Sequence, residues 1–83
     1  MTTKGRIENV LRSVLERELA IRKLELDQSI LNEDPDFPTD EILLDALEEL
    51  GNTTSSLVYT SWTGTLRHLI EIVEANLEKF RKT

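Results

Sequence analysis

Cysteine is absent from this chain. That excludes disulfides, thiolate metal sites and thiol catalysis. There is one histidine, so a multi-histidine zinc site is excluded as well. Aromatic residues make up 5% of the 83 positions, which leaves few large side chains to fill a core. A domain of this length buries only about 60% of its unfolded surface. No apolar run approaches the roughly 20 residues of a membrane span. No run behind the first six residues suits a signal peptide, and the expectation is a cytoplasmic protein without a membrane partner. Proline is confined to Pro35 and Pro38, and glycine to Gly5, Gly51 and Gly64. No Walker loop, dinucleotide fingerprint, HExxH or nucleophile elbow occurs.

Basic residues are missing from the middle. Met1 to Lys23 carries six basic and three acidic residues, Leu24 to Leu66 ten acidic and none basic, and Arg67 to Thr83 four basic and three acidic. The formal net charge is −6. An acidic middle repels nucleic acid and anionic lipid, and the basic residues at the ends are too mixed with acids for a nucleic-acid stripe.

What is present is helical periodicity. Ile7, Val10, Val14, Ile21, Leu24 and Leu31 lie on one line of three- and four-residue steps, interrupted by Arg17 and Gln28. Leu11, Leu15, Leu19, Leu26 and Ile30 form a second line beside it. No glycine or proline lies between Arg6 and Asp34. The spacing predicts one amphipathic helix over about 3–31, roughly 40 Å long, with Thr2 or Thr3 as its cap. Its polar face offers the four-residue pairs Glu8–Arg12, Glu18–Arg22 and Lys23–Asp27. Two prolines then impose a loop over 32–38. A short helix over about 39–50 follows, with Thr39 as cap, Asp40 and Glu41 in its first turn, and Gly51-Asn52 as its stop.

Residues 51–55 read as a loop and 56–82 as a third helix, striped by Val58, Trp62, Leu66, Leu69, Ile70, Val73, Leu77 and Phe80. Lys79, Arg81 and Lys82 suit its last turn. Leu57 to Thr65 is its weakest part. Thr60, Thr63 and Thr65 are β-branched and Gly64 is permissive, but no second strand exists to pair with an extended stretch. The predicted architecture is all-α: a long antiparallel helical hairpin plus one short helix. The first helix has more apolar girth than one partner covers. This predicts a coiled-coil-like homodimer or higher oligomer, with Ile7, Val10, Leu11, Val14, Leu15, Ile21 and Leu24 at the interface.

Two candidate sites emerge. The first is the acidic corner of Glu33, Asp34, Asp36, Phe37, Asp40 and Glu41, where carboxylates steer a basic protein and Phe37 anchors it. A calcium loop begun at Asn32 fails, because its sixth position is Phe37 rather than Gly and its twelfth is Leu43 rather than Glu. No metal or cofactor is expected. The second is Tyr59, Trp62, Thr63, Arg67 and His68, where an aromatic plane, hydroxyls and a guanidinium suit a phosphate, a nucleotide or another small anion. Thr53 to Thr65 holds eight Ser or Thr in thirteen residues. His68 with Glu71 is the nearest approach to an acid–base pair and lacks a nucleophile, so no enzyme is expected. The leading expectation is a non-enzymatic protein–protein interaction module, such as a small adaptor, inhibitor or assembly factor. The alternative is an anion- or nucleotide-binding oligomer using the Tyr59–His68 stretch.

Overall fold

The computed structural model describes residues 3–51, 57–59 and 61–81, with side chains up to residue 78. Among these, four helices follow in order: α1 (Thr3–Leu19), α2 (Ile30–Glu33), α3 (Thr39–Glu49) and α4 (Leu66–Arg81). One isolated antiparallel bridge, Ser29 to Thr65, is the sole β feature described. The chain is all-α, as its periodicity predicts. The expected roles of Thr2, Asn52 and Lys82, residues 52–55 of the expected 51–55 loop, the helix start expected at Ser56, and the side chains of Lys79, Phe80 and Arg81 lie outside the described residues.

Helices α1, α3 and α4 pack on one another around a shared core. α1 contributes Ile7, Leu11, Val14 and Leu15; α3 contributes Ile42, Leu43, Ala46 and Leu47; α4 contributes Leu66, Leu69, Ile70, Ile72 and Val73. Leu24, Ile30 and Phe37 close it from the connections. Burial of these apolar side chains, at about 25 cal/mol per Å², is the main stabilising term. The radius of gyration is 12.0 Å, matching the value of about 12 Å for a compact chain of this length.

Three expectations need correction. The first helix does not run to Leu31. It ends at Leu19, and Ala20 takes a left-handed conformation with φ 56°. The chain then bends, with Lys23 also at φ 56°, before α2 begins behind Ser29. The pairs expected beyond Leu19 are therefore lost: Glu8–Arg12 forms at 2.9 Å, but Arg22 meets Glu16 and Asp27 meets Arg67. Second, residues 57–59 and 61–65 are not helical. Thr65 accepts from the His68 amide (3.2 Å) and caps α4 there. The long hairpin is thus shortened to helices of 17 and 16 residues.

Third, the face assigned to an oligomer interface is covered by the chain itself. Ile7, Leu11, Val14, Leu15 and Leu24 are buried, and Val10 and Ile21 are half-buried against the same core. The reason is that α3 and α4 pack on this face, and the bend at Ala20 lets Leu24 and Ile30 join the same core. A second copy is not needed to cover them.

α3 matches its expected bounds. Pro38 stands at its cap position and Thr39 is its first residue, its hydroxyl donating to the Phe37 carbonyl instead of capping. Leu50 ends it and Gly51 follows at φ 89°. Gly64, at φ 99°, lies where the chain crosses residues 29–31. A methyl group there would sit 3.2 Å from Leu31 Cδ1.

Candidate functional site

The two candidate sites are neighbours. Asp34 starts a turn: its Oδ1 accepts from the Asp36 amide (3.2 Å) and its carbonyl from the Phe37 amide (3.2 Å). That turn sends Phe37 inward, to 7% exposure. Its ring meets Trp62, with centroids 4.8 Å apart and planes tilted by 38°. Phe37 is therefore a core residue rather than an exposed anchor. In a chain so poor in aromatics, the Trp62 ring is its partner.

Trp62 is held in turn by its Nε1–H, which donates to the Thr65 carbonyl (2.9 Å). Tyr59 donates its hydroxyl to Asp40 Oδ1. An open groove of about 420 Å³, lined by Pro38, Thr39, Asp40, Glu41 and Tyr59, marks the seam. A second groove of about 210 Å³ lies beyond Tyr59, lined by Val58, Ser61, His68, Glu71, Ile72 and Ala75 with Tyr59 itself.

The carboxylates remain outside. Glu33, Asp36, Asp40 and Glu41 are exposed and Asp34 is half-buried. None of the five forms an ion pair with a described residue. Along α3 the acidic surface continues through Asp45 and Glu48. Glu49 is different, because Arg17 crosses from α1 to pair with it and its guanidinium is held above its usual pKa by that hydrogen bond.

The anion-binding constellation is not assembled. Arg67 turns away from Tyr59 and forms a forked pair with Asp27, Nε to Oδ1 at 2.7 Å and Nη2 to Oδ2 at 3.2 Å. The hydrogen bond from Arg67 holds the Asp27 carboxyl below its usual pKa. His68 Nδ1 accepts from the Thr63 amide (2.9 Å), with the Thr63 hydroxyl 3.1 Å away. The groove that contains Tyr59 and His68 includes neither Trp62, Thr63 nor Arg67, and Glu71 brings a negative charge to it. An anion there would meet a carboxylate without the intended guanidinium. Among the described residues, no group of three or more His, Asp or Glu is placed to hold a metal ion, and no helix is long and apolar enough to cross a membrane.

Sequence reasoning missed Asn76, which organises this region from below. It is 2% exposed. Its amide donates to the Val58 carbonyl (2.9 Å) and the Ile72 carbonyl (2.8 Å), and its oxygen accepts from the Val58 amide (3.0 Å). One side chain thus supplies Val58 with the pairing a strand neighbour would give and fastens it to α4. The signal was available: Asn76 is the polar residue on the line through Leu66, Leu69 and Val73.

The Tyr59–Asp40 bond yields a direct titration. The hydrogen bond to Asp40, then burial, then the Asp40 charge raise the Tyr59 phenol above its ordinary 10.0. A raised pKa means the bond stabilises the fold fully below the unfolded value and is lost as pH climbs through the folded one. Tyr59 is the single tyrosine, so phenolate absorbance follows it alone. Its midpoint is expected above that of a free phenol, and Asp40→Asn is expected to bring it down. A midpoint unmoved by Asp40→Asn would mean that the bond does not form in solution.

Comparison of the chain with protein families, with curated proteins and with solved structures returns no match.

Proposed function

We propose that this chain is a non-catalytic protein-binding module that receives a basic partner on the acidic corner formed by the 33–36 turn and the start of α3. The observation that carries this reading is the group Glu33, Asp34, Asp36, Asp40 and Glu41, exposed except for the half-buried Asp34 and without an ion-pair partner among the described residues. Clustered like charges of this kind cost some stability through self-repulsion, and a cationic partner relieves it. The corner is preorganised by the Phe37–Trp62 contact, the Asp34 turn and the Tyr59–Asp40 bond, so little ordering is needed on binding. Phe37 and Asp40 act as supports, while Glu33, Asp34, Asp36 and Glu41 supply the field.

Electrostatic complementarity acts chiefly on the association rate. Capture of partners from the native cell, with the full chain as bait, is expected to recover basic proteins at low salt. For a recovered partner, Asp34→Asn combined with Asp36→Asn and Glu41→Gln is expected to slow association about tenfold at low ionic strength and to flatten its salt dependence. The dissociation rate is expected to change less. An association rate that ignores both salt and the substitutions would sink the reading.

A further inference from the structure

The bend between α1 and α2 is built from residues that favour helix. Leu19 to Ser29 contains neither glycine nor proline. Yet Ala20 and Lys23 both sit at φ 56°, a conformation in which a β-carbon crowds the backbone. Ala20 occupies the position just past a helix where glycine is usual, its amide donating to the Glu16 carbonyl at 3.0 Å. Alanine is the best helix former of all.

The contacts that hold the bend come from elsewhere in the chain. Arg12 donates to the Leu24 carbonyl, the Arg67 amide to the Leu26 carbonyl (3.0 Å), and the Ile30 amide to the Gly64 carbonyl (2.7 Å). The Arg67 guanidinium grips Asp27. Local preference and tertiary contacts therefore oppose each other over residues 20–29, where a well-determined fold has them agree.

The apolar pattern fits both outcomes. In the bent chain Leu24 and Ile30 are buried, and Ile21 and Leu26 lie against the core. In a straight helix the same residues extend the stripe begun by Ile7, Leu11, Val14 and Leu15.

We propose that residues 20–29 are a strained hinge that straightens into helix and transfers α1 onto α3 and α4 of a second copy, giving an α1-exchanged dimer in equilibrium with the bent monomer. Straightening pulls Ile7, Leu11, Val14 and Leu15 off their own α3 and α4. The surface that matches them is the same pair of helices in another copy, so the core reforms across chains and the hinge alone changes. Strained hinge loops of this kind favour such exchange. A straight helix from Thr3 to Glu33 would be about 46 Å long. This proposal is independent of the acidic-corner reading.

Ala20→Gly with Lys23→Gly separates the two states. Glycine relieves the left-handed strain of the monomer and disfavours the straight helix, so the dimer-to-monomer ratio is expected to fall about tenfold or more per site. The thermal midpoint of the monomer is expected to rise, the reverse of what glycine does inside a helix. Arg67→Ala, which frees Asp27, is expected to raise the ratio. The full chain is held at micromolar to millimolar concentration, warmed to near its midpoint, cooled, and read by light scattering on a sizing column and by far-ultraviolet circular dichroism. The expected dimer is more helical per residue than the monomer. No dimer at millimolar concentration, a dimer indifferent to the double glycine change, or a double variant that is less stable or unfolded would each overturn the proposal.

Discussion

Phe37→Ala is expected to remove about 3 kcal/mol of stability, the usual loss for a buried phenylalanine cut to alanine. A chain of this length has a total of about 4–12 kcal/mol to lose from, so the variant stands near the edge of folding. The ring is 7% exposed and lies 4.8 Å from that of Trp62. Its removal therefore leaves a gap and strips the indole of its neighbour. Trp62 is the single tryptophan, so its emission reports the change directly and is expected to shift to longer wavelength as water enters. Urea titration followed by that emission gives the free energy. A variant of normal stability that lost only partner binding would return Phe37 to the role of exposed anchor.

Asn76→Leu is expected to cost about 2 kcal/mol. The substitution is close in size and apolar, so the core stays filled. It leaves the Val58 amide and carbonyl without their partner, and an unmatched buried polar group costs about 1–3 kcal/mol. Val58 itself is 53% exposed, so water recovers part of the loss and the lower end of the combined range applies. Hydrogen exchange should show the Val58 amide losing protection while the amides of α3 keep theirs. Asn76→Asp is expected to be worse at neutral pH, since it keeps the acceptor but loses both donors and buries a charge. Its carboxyl would have a raised folded pKa, so its deficit should shrink on acidification as the proton returns a donor. A loss spread evenly over all helices in the leucine variant would argue that Asn76 merely fills space.

Much of this molecule was readable in its residues. α3 was legible because its limits are local: Pro38 cannot continue a helix backwards, and Gly51 takes the left-handed geometry that stops one. The inward faces of α1 and α4 were legible from their spacing. The end of α1 was not, because Ala20 and Lys23 carry no local stop signal, and the bend is met by contacts from Arg12 within α1 and from Gly64 and Arg67 far along the chain. The 57–65 stretch misled for a related reason. It lacked a strand to pair with, and a single asparagine eighteen residues later took that role for Val58. At the candidate site, Glu33, Asp36, Asp40 and Glu41 are exposed, whereas Phe37, expected as an exposed anchor, is buried. A phenylalanine between acids and prolines looks exposed until the ring opposite it is known. Arg67 belonged to the ligand hypothesis until Asp27, forty residues away, claimed it.

The grip of Asn76 on Val58 has a use in engineering. Both of its bonds to that residue are to the main chain, so the attachment is indifferent to which side chain stands at position 58. That side chain already faces water. Side chains of other kinds can be placed at position 58 and displayed to solvent on a helical support, with no change to the fastening.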